Sequence, residues 1–221
     1  MHPPERQPTD TPLAEAPVPR RTTVAIPVRG FDGAKSRLGA VLDAEERHEL
    51  VERLLRHTID AARRTPGVVE VLVVSPDAEV LALAAADGGR PVLQRSRGLN
   101  PALQEARAAA TGDRFLVIPG DIPGVTPDAI ARVLAAGDVA GTPSVVLAPD
   151  RHGRGTNALL LDPPDVIDPA FGGDSRAGHA WLASSADAGY AEVRDVLDLD
   201  IDTPEDLLLA EATAPEVIHA D

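Results

Sequence analysis

The chain has 221 residues and 23.1 kDa, 43% of them hydrophobic but only 2% aromatic, so one Ala, Val, Leu and Ile core of α/β or helical type is expected. A formal charge of -14 and a pI near 4.8 repel a polyphosphate backbone and argue against a nucleic-acid partner. The absence of cysteine excludes disulfides, thiolate zinc sites and iron–sulfur clusters.

Residues 1–21 are Pro-rich, polar and aperiodic, and read as a disordered tail. They lack a basic start followed by an apolar stretch, and no apolar run is long enough to span a membrane, so a cytoplasmic location is expected. Residues 22–214 read as a single domain, followed by a flexible tail over 215–221. Thr23–Val28 forms a short apolar run, the first buried strand. Asp43 to Arg64 places Leu50, Val51, Leu54, Leu55, Ile59 and Ala62 on one helical face, with Asp43 and Glu46 as an N-cap pair.

Val68–Val74 is the second strand, and Ser75-Pro76-Asp77 predicts a hydroxyl-capped helix behind it. Pro91–Gln94 is a short third strand, Leu99–Ala110 a helix, and Arg114–Pro119 the fourth strand. Thr126-Pro127-Asp128 starts a helix to about Ala136. Ser144–Ala148 and Asn157–Leu161 are strands joined by the turn Arg151–Gly155. Asp174–Ala188 is a helix, Tyr190–Arg194 a strand, and Thr203-Pro204 caps a last helix to about Thr213. Such alternation means βαβ units and a mostly parallel mixed sheet, with one antiparallel strand from the 144–161 hairpin. Ligands of such sheets sit beyond the carboxyl ends of the strands, here after Val28, Gln94, Pro119 and Leu199.

Three of those loops carry charge suited to phosphate chemistry. The first, Pro27–Leu38, holds Arg29, Lys35 and Arg37 with two glycines, and Lys35 is the one lysine among 21 basic residues. As a surface loop cation, Lys35 should contribute little to folding. The loop lacks the spacing of a Walker phosphate loop. Asp121, on the turn Pro119-Gly120-Asp121, is placed to bind a hard cation or to form the turn. Asp198, Asp200 and Asp202 share a face in an extended segment, and clustered carboxylates repel unless a cation lies among them. Phe171-Gly172-Gly173-Asp174-Ser175 leads into a helix whose free N–H groups suit an anion, or else it is an ordinary cap. Near it, His179 reads as either core or ligand.

Taken together, AKSRL (34–38), GLNPAL (98–103), IPGDIP (118–123), GTNAL (155–159), FGGDS (171–175) with His179, and DIDTPEDL (200–207) resemble the CofC/FbiD guanylyltransferases of coenzyme F-420 biosynthesis. The resemblance covers residues 22–213. It implies a Rossmann-like, three-layer nucleotide-diphospho-sugar transferase fold. It also implies transfer of GMP from GTP to phosphoenolpyruvate or 2-phospho-L-lactate, with release of pyrophosphate and hand-over of the product to the next transferase. By the same resemblance, Lys35 and Asp121 are catalytic, and Arg29, Lys35, Arg37, Gly98 and Asn100 bind GTP. Thr156, Gly172 and Ser175 would bind the acceptor, and Asp121 with Asp200 or Asp202 would hold Mg²⁺. A bacterial member implies phosphoenolpyruvate. The turn Arg151-His152-Gly153-Arg154 departs from the family's smaller, acid-containing turn and bears on acceptor preference. A molybdopterin-type or sugar-phosphate nucleotidyltransferase, or a non-catalytic nucleotide-binding module, is the rival reading. The Gly-rich first loop of the molybdopterin enzymes is absent here.

Overall fold

A computed structural model describes residues 20–31, 34–195 and 197–219; most of the N-terminal tail lies outside the described residues. The strands are β1 (Thr22–Pro27), β2 (Val68–Ser75), β3 (Arg90–Leu93), β4 (Arg114–Val117), β5 (Ser144–Pro149), β6 (Thr156–Asp162) and β7 (Gly189–Glu192). The helices are α1 (Ala44–Arg64), α2 (Ala78–Ala86), α3 (Leu99–Ala109), α4 (Pro127–Ala140), α5 (Ser175–Ser185), α6 (Pro204–Thr213) and α7 (Pro215–Ile218). One 3₁₀ turn spans Ser36–Ala40.

The strands form one sheet in the order β3-β2-β1-β4-β6-β5-β7. Strands β3, β2, β1 and β4 run parallel, and β6 runs antiparallel to both its neighbours. Strand β7 then pairs parallel to β5, so β6 is the single reversed strand among those described. Apolar side chains alternate across the pleat and bury both faces. Val24, Ile26, Val71, Val73 and Leu116 pack under α1, α2 and α4. Ala25, Leu72, Val74, Phe115 and Val117 pack under α3 and α5. The sheet thus divides the single expected core in two and gives a three-layer α/β fold.

All six residues predicted for the inner face of α1 are buried, and Asp43 with Glu46 closes a capping box. The cap of α2 is Asp77, which accepts from the Glu79 N–H; Ser75 instead accepts from the Asp77 N–H at 3.0 Å. Helix α4 runs on past Ala136 because Gly137 is not a stop. A Cβ there would sit 2.8 Å from Leu160 Cδ2, so this glycine lets the helix lie close on β6, and the helix ends at Gly141 with φ 83°.

Two expectations at the C-terminal end change. Helix α5 stops at Ser185 rather than Ala188. Residues 215–218, expected as part of a flexible tail, form α7, whose Val217 and Ile218 are buried against Leu38, Leu50 and Leu54. A four-residue helix is too short to show a period in sequence. It matters to function because Leu38, fully buried, anchors the turn that follows Lys35.

At the amino end of β4, away from these loops, buried Arg114 donates to Asp162 at 2.9 Å and also pairs with Asp138. This ion pair fixes the register between β4 and the reversed strand β6.

Candidate active site

The carboxyl ends of β1 and β4 bring the first cluster together. Lys35 takes a left-handed backbone (φ 51°) just before the 3₁₀ turn, which aims its side chain at the loop after β4. Its Nζ donates to Asp121 Oδ2 at 2.5 Å and to Asp202 Oδ1 at 3.0 Å. The Lys35 side chain is only 10% exposed, so it is a buried ion-paired group and not the solvated loop cation its sequence context suggests. Burial alone would lower its pKa, but Asp121 and then Asp202 outweigh this and hold it above the ordinary lysine value.

The Ile201 N–H donates to the Asp121 carbonyl at 3.2 Å, which draws the acid-rich segment 198–202 against the β4 loop. Asp200 is pushed above the usual carboxylate range, first by burial and next by the charge of Asp121. Arg37 lies 3.7 Å from Asp202 and is largely solvent-facing. Arg29 is exposed and makes no hydrogen bond or salt bridge among the described residues.

Two carboxylates therefore pair with one buried ammonium, and Asp200 feels its charge from nearby. Among the described residues, no group of three acid, His or Cys side chains already converges in metal-holding geometry. The Asp121 Oδ1 atom is nevertheless buried and lacks a hydrogen-bond partner. An orphaned anionic oxygen beside an excess of negative charge is a donor that a hard cation uses.

The second cluster lies at the same rim because β6 is reversed. Val117 pairs with Leu159, so Thr156 at the start of β6 is level with the residues just beyond the end of β4. Ser175 Oγ donates to Thr156 Oγ1 at 3.0 Å, and His179 Nδ1 lies 3.1 Å from the same oxygen. His179 is fully buried, its Nε2 accepts the Ala170 N–H at 2.9 Å, and burial pushes its pKa down to about 4.

The glycine segment before α5 is open. Gly172 has φ 140°, and a Cβ there would meet nothing within 4 Å, so glycine is required by conformation rather than by space. Asp174 stands at the N-cap position with φ 54°, but its carboxylate pairs with Arg154 and does not cap the helix. The first N–H groups of α5 therefore have no side-chain cap, in contrast to the ordinary cap considered from sequence.

Gly98 and Asn100, both expected at the nucleotide, sit at the start of α3. Gly98 is the N-cap of α3 at φ 100°, in the loop after β3 as expected. The Asn100 amide, expected to face the nucleoside, is engaged at both ends by the Phe171 backbone. The departing turn is also neutralised internally, since Arg151 pairs with Asp206 and Arg154 with Asp174.

Asn157 has a role that its motif does not reveal. It donates to the Leu197 carbonyl at 2.8 Å and ties β6 to the acid-bearing segment. Glu105, with no sequence signal at all, accepts the Arg95 and Ser96 N–H groups, both at 2.9 Å, and stiffens the loop before α3.

A family profile described as guanylyl transferase, CofC-like, matches residues 22–211. The chain belongs to this family. It is 43% identical to a phosphoenolpyruvate guanylyltransferase of Sphaerobacter thermophilus over 205 residues, covering 90% of this chain and 98% of that one. A protein of the same name from Rubrobacter xylanophilus is 41% identical, over 85% of this chain and 92% of its own. The fold matches a solved structure described as a nucleotide-diphospho-sugar transferase from Desulfovibrio desulfuricans G20. That match has a TM-score of 0.70 at 17% identity, covering 88% of this chain and 87% of that one. Family membership makes the chain a guanylyltransferase, a nucleotidyl-transferring enzyme, and the likeness in fold agrees with the expected architecture. No helix among the described residues is long and apolar enough to cross a membrane.

Proposed function

We propose that the enzyme joins GMP from GTP to phosphoenolpyruvate and releases pyrophosphate, as a step of coenzyme F-420 biosynthesis. The observation that carries this reading is the pairing of two unlike clusters on one sheet rim. One is a cation set among carboxylates, with an orphaned Asp121 oxygen. The other is a buried hydroxyl pair beside an uncapped, glycine-led helix start. The first suits a triphosphate with a metal, and the second suits a carboxylate. The relatives' name supplies the acceptor.

An oxygen of the acceptor phosphate attacks the α-phosphorus of GTP, and the bond to the pyrophosphate oxygen breaks. That nucleophile is already ionised, so no base has to activate it. The barrier lies in bringing two polyanions together, which positioning and charge neutralisation address. Lys35 remains an ammonium at neutral pH, and with Arg29 and Arg37 it would neutralise triphosphate oxygens.

Mg²⁺ fits Asp121 with Asp200 or Asp202, and when bound it supplies a hard positive centre for phosphate oxygens. The backbone around Gly98 would border the nucleoside. Thr156, Gly172 and Ser175 would hold the acceptor carboxylate through hydroxyl and N–H groups. A diphosphate-linked product of this kind is a substrate for a further transferase, to which it would be handed on.

The deciding assay measures pyrophosphate release from GTP with phosphoenolpyruvate, 2-phospho-L-lactate and 3-phosphoglycerate in turn. Phosphoenolpyruvate should give the highest kcat/KM. A clear preference for either rival would move the acceptor assignment. Asp121→Asn should abolish transfer while the protein stays folded, and full activity in that variant would remove Asp121 from the metal and catalytic roles.

A further inference from the structure

The hydroxyl pair at Thr156 and Ser175 carries a hydrogen count that the imidazole behind it decides. The Ala170 N–H can only donate, so His179 Nε2, 2.9 Å away, must be the lone-pair nitrogen. The ring is fully buried and its edge lies against Phe171, with centroids 5.2 Å apart. Burial keeps it neutral, with a pKa pushed down to about 4. Its one N–H is therefore on Nδ1, 3.1 Å from Thr156 Oγ1.

Three hydrogens now serve two contacts. They belong to His179 Nδ1, Thr156 Oγ1 and Ser175 Oγ, and the contacts are His179 to Thr156 and Ser175 to Thr156. Whichever way the hydroxyls turn, one O–H is left to point out of the cluster. With the opposite tautomer, Thr156 would have to donate to the ring. Ser175 would then donate to Thr156, and the pair would offer only lone pairs.

We propose that His179 is a positioning residue: by donating from Nδ1 to Thr156 it obliges the Thr156–Ser175 pair to present a hydrogen-bond donor, and so selects an anionic acceptor group. This rests on the acceptor reading given above. The selection is electrostatic. A carboxylate accepts the outward O–H, whereas the opposite tautomer would set hydroxyl lone pairs against its charge. Asn100 supports the arrangement, since its amide holds Phe171, next in sequence to Ala170.

Two variants separate the ring's two bonds. In His179→Gln the carboxamide oxygen can reach the Nε2 position and keep the Ala170 contact, but the donor to Thr156 is lost. In His179→Asn the amide can occupy the Nδ1 position and donate to Thr156. His179→Gln leaves two hydroxyl hydrogens for one contact, so an outward O–H survives but is no longer enforced; the KM for phosphoenolpyruvate should rise a few-fold, with the KM for GTP within about twofold. His179→Asn should recover most of that loss. Equal phosphoenolpyruvate KM in wild type and His179→Gln, or equal damage in both variants, would overturn the proposal.

Should either variant fail to fold, the wild-type protein still decides the matter. Imidazole ¹⁵N shifts should show His179 protonated at Nδ1 and bare at Nε2 from pH 5.5 to 8, and the reverse pattern refutes the proposal. Thr156→Val tells the two levels apart. If it leaves phosphoenolpyruvate KM unchanged, the acceptor reading itself falls and this inference with it. If it raises that KM while His179→Gln does not, the inference alone falls.

Discussion

Asn100 holds Phe171 by two reciprocal bonds, its Nδ2 donating to the Phe171 carbonyl at 3.0 Å and its Oδ1 accepting the Phe171 N–H at 2.8 Å. A side chain from the start of α3 thus fixes the irregular segment that leads to Gly172 and α5. The start of α3 and the glycine segment before α5 are joined by this amide.

Asn100→Ala should therefore act on the acceptor and not on base choice. The ratio of kcat/KM for GTP over ATP should stay within about twofold, while phosphoenolpyruvate KM rises several-fold. Two lost hydrogen bonds, at about 0.5–1.5 kcal/mol each, should also lower stability measurably in urea. A collapse of the GTP preference with an unchanged acceptor KM would return Asn100 to the nucleoside.

Lys35→Ala should lower turnover strongly and should also destabilise the fold. The loss should fall between the roughly 0–1 kcal/mol of an exposed pair and the about 3–5 kcal/mol of a buried pair left without its partner, since Asp121 and Asp202 lose their ion pair and Asp200 a nearby positive charge. Denaturant titration at neutral pH reads this directly. Lys35→Arg should recover stability better than activity, because its planar fork keeps the charge but not the compact donor. Unchanged stability in Lys35→Ala would mean that the three carboxylates relax without it.

The edge strand β7 carries an acid-sensitive contact. Arg176, with Tyr190 and Arg194, holds the Glu192 carboxyl down to about 2. A depressed carboxyl pKa adds stability above its unfolded value of 4.5 and loses it as pH falls toward about 2. The wild-type protein should thus lose more stability between pH 5 and pH 3 than Glu192→Gln does. At this edge strand, screening limits the difference to about 1 kcal/mol. Parallel stability–pH curves for the two proteins would contradict this.

The pair of Arg114 and Asp162 offers a control away from the rim. Asp162→Ala leaves buried Arg114 without its main partner and should cost about 3–5 kcal/mol. The residual folded protein should keep its KM values for both substrates at low temperature. A selective rise in acceptor KM would show that β6 register reaches Thr156.

Much of this arrangement was readable from the residues alone, and the exceptions have physical causes. The face of α1 showed because Leu50, Leu54 and Leu55 repeat with helical spacing, and the caps at Asp43, Thr126 and Thr203 showed because their partners lie within three residues. Ser75 misled because it and Asp77 are both capping types, and only the backbone decides which stands at the helix start. The motif order pointed to Lys35 and Asp121. That they meet, and that Lys35 is buried in meeting, depends on residues far apart in sequence, since Lys35 bonds to Asp121 and Asp202 across three separate loops. Asn100 and Asn157 spend their amides on distant backbone groups, and no local pattern records such a bond.

The reversal of β6 has a consequence for how this enzyme can diversify. A parallel strand reaches the rim after a long crossover helix, and changing its approach means rebuilding a layer. Strand β6 reaches it straight out of the short hairpin turn between Pro149 and Thr156. Lengthening such a turn costs little, about 0.6 kcal/mol for each doubling of a flexible loop. This turn abuts the residue that would grip the acceptor, so residues added beyond its ties to Asp206 and Asp174 could bring new substrate preferences while the other end of the rim stays as it is.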